Sequence, residues 1–396
     1  MAMKITNLKT YVVGNPIPYY GGFYWIFLKL TADDGVEGYG EVYSVPFNPT
    51  TVEQMIEDVV ERYVIGSDPF KIERLWRIVY SSGYTQRPDV SLMGILSGIE
   101  MALWDIIGKE LNKPIYELLG GQVHEKIRSY TYIYPEKPGD PWVFGDPEGA
   151  AKRASDYVKQ GFTGVKFDPV MPFSAFDPRQ LSLEQLDNAE KVVGNVREAV
   201  GSKCDLLIGT HGQMTTSSAI RLAKRIEKFD PLWLEEPVPP ENVEEMARVA
   251  RSTSIPIASG ERLATKYEFV TLLEKQAASI LQFALGRVGG ILEAKKIAGM
   301  AEAHYAQLAP HLYCGPIEAA ANIQIDTCSP NFLIQESVET WGGFHAEILK
   351  ESIQWEEGYI IPPTAPGLGV ELDEECAARH PYTGDRLHLE MVDRPV

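Results

Sequence analysis

The sequence predicts an α/β protein in which a closed barrel of parallel strands follows an α+β unit. Three observations carry this. From Ile127 onward, short apolar runs alternate with helical patterns of roughly 10 to 17 residues, the usual globular range. Eight such runs end near Ile133, Asp168, Gly209, Glu235, Gly260, Phe283, His311 and Glu336. Regular strand–helix alternation implies parallel strands with right-handed crossovers, and eight of them fit a closed (β/α)₈ barrel better than an open doubly wound sheet. Finally, no Gly-x-Gly-x-x-Gly or Gly-x-x-x-x-Gly-Lys-Ser/Thr pattern follows an early strand, which weakens a nucleotide-binding reading.

The elements follow in order. The run Trp25–Thr31 leads into Asp34-Gly35, a good hairpin turn, and the chain returns through Val36 to Val42. Helical patterns run from Thr51 to about Val64, from Pro69 to about Tyr80 and from Ser91 to about Leu111. In the last of these Ile95, Ile99, Leu103 and Ile106 share one face. Asp146-Pro147 reads as an N-cap with proline at the first helical position, and Gly161 stops that helix. Ala219, Leu222, Ala223 and Ile226 form an apolar stripe, and Ile291–Ala303 is a helix rich in Ala and Lys. From about Trp355 the chain turns Pro- and Gly-rich, as expected of a tail that leaves the barrel and packs on the N-terminal part. The expected units are 1–125, 126–360 and 361–396.

Composition limits the partners. The chain carries 37 Lys and Arg against 55 Asp and Glu, a formal net charge of −18. That balance argues against nucleic acid or an anionic membrane. A carboxylate substrate would need local positive charge from a metal, Lys or Arg. Cys204, Cys314, Cys328 and Cys376 have no metal-ligand spacing and read as buried thiols in a reducing compartment. The N-terminus has no apolar signal core and no segment reads as long enough to span a bilayer, so a cytoplasmic protein is expected.

The ends of the barrel strands hold the candidate chemistry, because that rim is where α/β barrels place it. Lys166 and Asp168 share a strand face, so Lys166 reads either as a base or carboxylate binder or as half of an ion pair plugging the barrel. His211 follows Gly209-Thr210. Glu235 and Glu236 precede Pro237, and Glu235 is the preferred inward ligand. Glu261-Arg262 opens a helix, where an acid is also favoured by the helix dipole alone. His311 and Glu336 close the last two strands. Glu235 and Glu261 together suit a hard divalent cation, yet the strand before them reads Leu-Leu-Ile-Gly-Thr-His (206–211), with no third acid. Lys on one side, His opposite and acids between suit abstraction of a proton next to a carboxylate, with the enediolate stabilised by a cation or a protonated acid.

These residues match a family pattern. Ala102-Leu-Trp-Asp-Ile-Ile-Gly-Lys109, Leu118-Leu-Gly-Gly121, Lys166-x-Asp168, Glu235-Glu-Pro237, Gly260-Glu261, Arg287-Val-Gly-Gly-Ile291, Pro310-His311 and Pro366-Gly-Leu-Gly-Val-Glu371 together resemble the enolase superfamily, mandelate-racemase type, over essentially the whole chain. The resemblance implies an α+β capping domain over a modified (β/α)₇β TIM-type barrel. It implies Mg²⁺ on Glu235 and Glu261, His311 as acid/base, Glu336 as an electrophilic acid on the substrate carboxylate, and Phe23 and Tyr24 in the capping loop over the substrate. A homo-oligomer is expected.

Three positions depart from the pattern. Gly209 stands where the first metal ligand, usually Asp, is expected. Ala284 replaces the Asp that pairs with the acid/base His, and Asp168 replaces the second Lys of a Lys-x-Lys pair. The expectation is that Asp168, or Thr210 and His211 through water, partly restores the metal shell, with Thr210 and Arg262 also touching substrate. His211 resembles the acid for a leaving hydroxyl in the acid-sugar branch. The implied reaction is β-elimination from a sugar acid, by a dehydratase or by a cycloisomerase opening a lactone or anhydro-sugar acid. A racemase or epimerase and a catalytically silent sugar-acid-binding barrel are the alternatives.

Overall fold

The computed structural model describes residues 3–43, 46–137 and 140–396. Strands β1 (Ile5–Gly14), β2 (Tyr24–Ala32) and β3 (Glu37–Val42) form an antiparallel sheet in that order. The β2–β3 turn is the expected one: Gly35 takes φ +91 and Asp34 Oδ1 accepts the amide of Val36. Helices α1 (Pro49–Val59, continued by a π turn at Val60–Val64), α2 (Ile72–Tyr80) and α3 (Val90–Glu110) cover the sheet.

Asp89 caps α3, its carboxylate accepting the amides of Ser91 and Leu92. The helix lies directly on β3 because glycines remove the side chains between the two backbones. A Cβ on Gly40 would sit 1.8 Å from the carbonyl oxygen of Gly98. By length and composition α3 could cross a membrane, contrary to the expectation that no segment could. In the fold, 78% of its most apolar window is buried, as in the core helix of a globular unit.

After α4 (Ile115–Leu118) the barrel begins. Its parallel strands are β4 (Ile127–Tyr132), β5 (Gly164–Phe167), β6 (Asp205–Gly209), β7 (Trp233–Glu235), β8 (Ile257–Ser259), β9 (Ile280–Leu281), β10 (Gln307–Leu308) and β11 (Gln335–Ser337). β11 pairs with β4, and a parallel bridge from Leu308 to Phe332 joins β10 to the approach of β11, so the sheet closes. The crossovers are α5 (Pro147–Lys159), α6 (Leu183–Val200), α7 (Thr216–Ile226), α8 (Val243–Ala250), α9 (Lys266–Glu274), the pair α10 (Leu285–Val288) and α11 (Ile291–Ala303), and α12 (Pro316–Thr327). This is the modified (β/α)₇β barrel beneath an α+β cap.

Alternation along the strands stacks the interior in layers. Tyr130, Leu207, Trp233, Ala258, Ile280, Ala309 and Ile334 form one apolar plug. Two residues further along their strands come Tyr132, Gly209, Glu235, Gln282, His311 and Glu336, so the next layer up is polar. The site rests on that apolar floor.

The tail first adds a hairpin, β12 (Trp355–Glu356) and β13 (Tyr359–Ile360), antiparallel to β4. It then crosses to the cap, where Gly367 packs on Gly108 and the amide of Leu368 donates to Asp105. α13 (Phe344–Glu347) precedes the hairpin and α14 (Glu374–Arg379) follows it. Glu374 of α14 receives Lys9, Lys29, Tyr11 and Tyr39 of the cap sheet.

Candidate active site

Lys166 organises the polar layer. Its Nζ donates to Glu235 Oε1 at 2.8 Å and to Glu336 Oε1 at 3.3 Å, with the rings of Tyr132 and Tyr130 at 4.9 and 5.7 Å. Burial disfavours the ammonium, but Glu235 and Glu336 outweigh it and hold Lys166 well above its ordinary pKa. Of the arrangements expected for Lys166, the contacts are those of an ion pair inside the barrel, with Glu235 and Glu336 as the acids.

His311 lies between two acids and a phenol. Its Nδ1 is 3.0 Å from Glu336 Oε2 and 3.6 Å from Glu261 Oε2, and its Nε2 is 3.2 Å from the Tyr43 hydroxyl. Ala284 is bridged to His311 on the neighbouring strand and has no carboxyl to give. Glu336 and Glu261 reach the ring from elsewhere, so His311 does not lack an acid partner. Burial lowers its pKa, but the two carboxylates reverse the sign and raise it.

Glu336 joins Lys166 and His311. Burial would raise its carboxyl, but Lys166 and His311 hold it below the ordinary range, and its Oε2 also accepts the Leu312 amide at 2.8 Å.

His211 follows β6, the third barrel strand, and His311 follows β10, the seventh, so the two stand across the barrel mouth from each other. His211 Nδ1 is 3.3 Å from Asp168 Oδ2, and its Nε2 is 3.5 Å from the Tyr132 hydroxyl. Asp168 is held for this contact: Oδ1 accepts the Val170 amide at 2.9 Å and Oδ2 accepts Gln213 Nε2 at 2.5 Å. Burial opposes charge on His211, but Asp168 and Glu261 raise its pKa. Asp168, expected as a metal ligand, here meets His211, Gln213 and the Val170 amide. Both of its oxygens serve the loop and the histidine.

Thr210, Arg262, Phe23 and Tyr24, expected at the substrate, make contacts within the chain. Thr210 Oγ1 donates to the carbonyl of Glu235. Arg262 clamps Glu236 Oε2 at 2.9 and 2.7 Å and donates to the carbonyl of His211 at 3.0 Å. Phe23 and Tyr24 face the tail, with Arg386 over the Phe23 ring at 4.9 Å and Tyr382 against Tyr24 at 4.6 Å. The buried His388 lies between Tyr24 and Tyr43, at ring distances of 6.0 and 5.2 Å.

Several site residues escaped the sequence reading. Tyr43 follows the last cap strand. Tyr132 could have been found by alternation from Tyr130, and Gln282 as the polar residue within Leu-Gln-Phe-Ala. Arg287, 3.8 Å from Glu261 Oε1, lies in the Arg287-Val-Gly-Gly-Ile291 run. Gln213 carried no signal.

The divalent cation expected on Glu235 and Glu261 does not fit this donor set. Glu235 Oε1 is taken by Lys166, and its Oε2 accepts Trp233 Nε1 at 3.1 Å and Gln282 Nε2 at 2.9 Å. Among the described residues, no group of three or more His, Cys, Asp or Glu side chains is placed to hold a metal.

Comparison with known proteins agrees with the fold. Residues 23–120 match the mandelate racemase/muconate lactonizing enzyme N-terminal domain, and residues 149–376 match the enolase C-terminal domain-like model. A D-galactonate dehydratase from Cronobacter sakazakii is 38% identical over 383 residues, 94% of this chain and 93% of the relative. A solved structure from Burkholderia SAR-1, described as of the mandelate racemase/muconate lactonizing enzyme type, is 61% identical with a TM-score of 0.97, covering 99% of this chain and 98% of that one. A mandelate racemase/muconate lactonizing enzyme from Sulfitobacter is 49% identical with a TM-score of 0.96, covering 100% and 99%. The chain thus belongs to the mandelate racemase/muconate lactonizing enzyme family and is an enzyme of the enolase superfamily.

Proposed function

We propose that this enzyme dehydrates a sugar acid. The observation that carries the reading is the pair of histidines facing each other across the barrel mouth, each beside its own carboxylate, with the Lys166 cation between them. The substrate carboxylate lies toward Lys166, which balances the charge that develops on the enediolate. His311 takes the α-proton. The electron pair of that C–H bond passes into the enediolate and then expels the β-hydroxyl, which leaves as water with a proton from His211. The enol product tautomerises to a 3-deoxy-2-keto acid. Glu336 and Asp168 orient the two rings and raise their basicity. The relative named D-galactonate dehydratase supports an aldonic acid as substrate.

Epimerisation is a second reading, favoured by the same two histidines, because each has an acid partner and could serve one face of the α-carbon. Proton NMR in D₂O separates the readings, using a panel of aldonic and aldaric acids, their lactones and anhydro-sugar acids. A 3-deoxy-2-keto product from an open acid is expected. Product from a lactone or anhydro acid alone would make it a cycloisomerase, and exchange at C2 without product an epimerase. No exchange on any member would favour a binding protein. We further propose a cytoplasmic homo-oligomer whose unit 1–125 caps the barrel 126–360 and is bound by the tail 361–396. The four buried, unpaired cysteines support a reducing compartment, and light scattering would read the oligomeric state.

A further inference from the structure

The place of the missing third acid is already filled. A Cβ built on Gly209 would lie 2.5 Å from Lys166 Cε, 2.9 Å from the Tyr132 hydroxyl and 3.0 Å from Lys166 Cγ. No side chain of any kind fits while Lys166 holds this position. The lysine stem runs through the space an aspartate would need, and its ammonium ends on Glu235, the acid expected to be the next ligand.

The other donors agree. Gln282 and Trp233 aim N–H groups at the second oxygen of Glu235, and an N–H donor cannot share that lone pair with a cation. Glu261 faces the guanidinium of Arg287 and the ring of His311. A divalent ion entering here would meet an ammonium within the same carboxylate cradle, and the two like charges would repel in a buried site.

We infer that the Lys166 ammonium takes the place of the divalent cation in this chain, so that the enzyme holds its carboxylate substrate on a lysine and needs no metal. The glycine at 209 and the lysine at 166 then form one device, the first making room for the second. This deepens the proposed reaction by naming what neutralises the substrate carboxylate, and metal binding can be read without any substrate.

The test is a titration of the full-length, chelator-treated protein with Mn²⁺, followed by electron paramagnetic resonance of the free ion. The expected result is no saturable site at equimolar concentrations, with Glu235→Gln giving the same curve as the parent. A stoichiometric site that disappears in Glu235→Gln would overturn the inference. A second measurement uses calorimetry with D-galactonate or whichever acid the NMR panel identifies. Affinity unchanged by EDTA supports the lysine, and a loss of tenfold or more that added Mg²⁺ restores refutes it. If no sugar acid binds, the dehydratase reading fails, while the Mn²⁺ curve still decides the metal question.

Discussion

The proton chemistry of His211 depends on a carboxylate 43 positions earlier in the chain. Asp168 raises its pKa, so the protonated form persists to a higher pH than for an unsupported imidazole. As the group that protonates the leaving hydroxyl, His211 must be charged, and activity is lost as pH rises through its raised value. Asp168→Asn removes the charge but preserves the shape. The alkaline limb of kcat/KM should move to lower pH and the maximal rate fall by about 10²-fold. A pH–rate profile with an unmoved alkaline limb would remove His211 from the acid role. Alternation along β5 placed Lys166 and Asp168 inward, but could not say that one would meet Glu235 and the other His211. Those pairings join residues from different strands.

Cap and barrel are joined at the level of elements by carboxylates that end helices. Glu100, on α3, accepts the amides of Ile291 and Leu292 at 2.6 and 2.9 Å, the first turn of α11. Burial pushes its carboxyl up to about 8, against the pull of those amides. The unfolded chain loses this proton near the ordinary value of ~4.3, so the folded state binds it over a wider range. Stability from this group is therefore full below ~4.3 and declines as pH rises toward 8. Glu100→Gln, which carries no proton to lose, should show a shallower fall in melting temperature between pH 5 and 8. Parallel curves would refute it. The same helix tests close packing. Gly40→Ala drives a methyl into the Gly98 carbonyl, forces α3 away from β3 and should cost about 3 kcal/mol in denaturant unfolding. That an apolar run of this length is a core helix follows from those glycines, which only the fold brings into contact.

Across the whole molecule, the tail locks the cap. Glu374 is partly exposed, yet two lysines and two tyrosines of the cap sheet converge on it and hold its carboxyl well below the ordinary range. Glu374→Ala should lower stability by about 2 kcal/mol, a typical loss for charged hydrogen bonds in a partly solvated place. Arg379 and Arg386 are already exposed, so a loosened tail should be cut after them by trypsin faster than in the parent and before the barrel is cut. Unchanged digestion would mean that the apolar contacts of the tail suffice. By reaching His388 and Arg386 over Tyr24 and Phe23, the tail also keeps those side chains from the polar layer.

The sequence by itself determined the architecture and the rim. Strand–helix alternation, caps and turn glycines act over a few residues, so barrel strands end within three residues of the expected places and α11 has the expected bounds. Period-two alternation likewise put Lys166 and Asp168 on one face and favoured Glu235 over Glu236 as the inward acid. Only the tertiary structure decided which inward groups touch, because barrel closure brings β11 beside β4 and sets side chains from distant strands in one layer. The unusual glycine at 209 was visible as a missing acid. Its meaning became legible only when Lys166 was found filling the space, since one volume cannot hold both side chains.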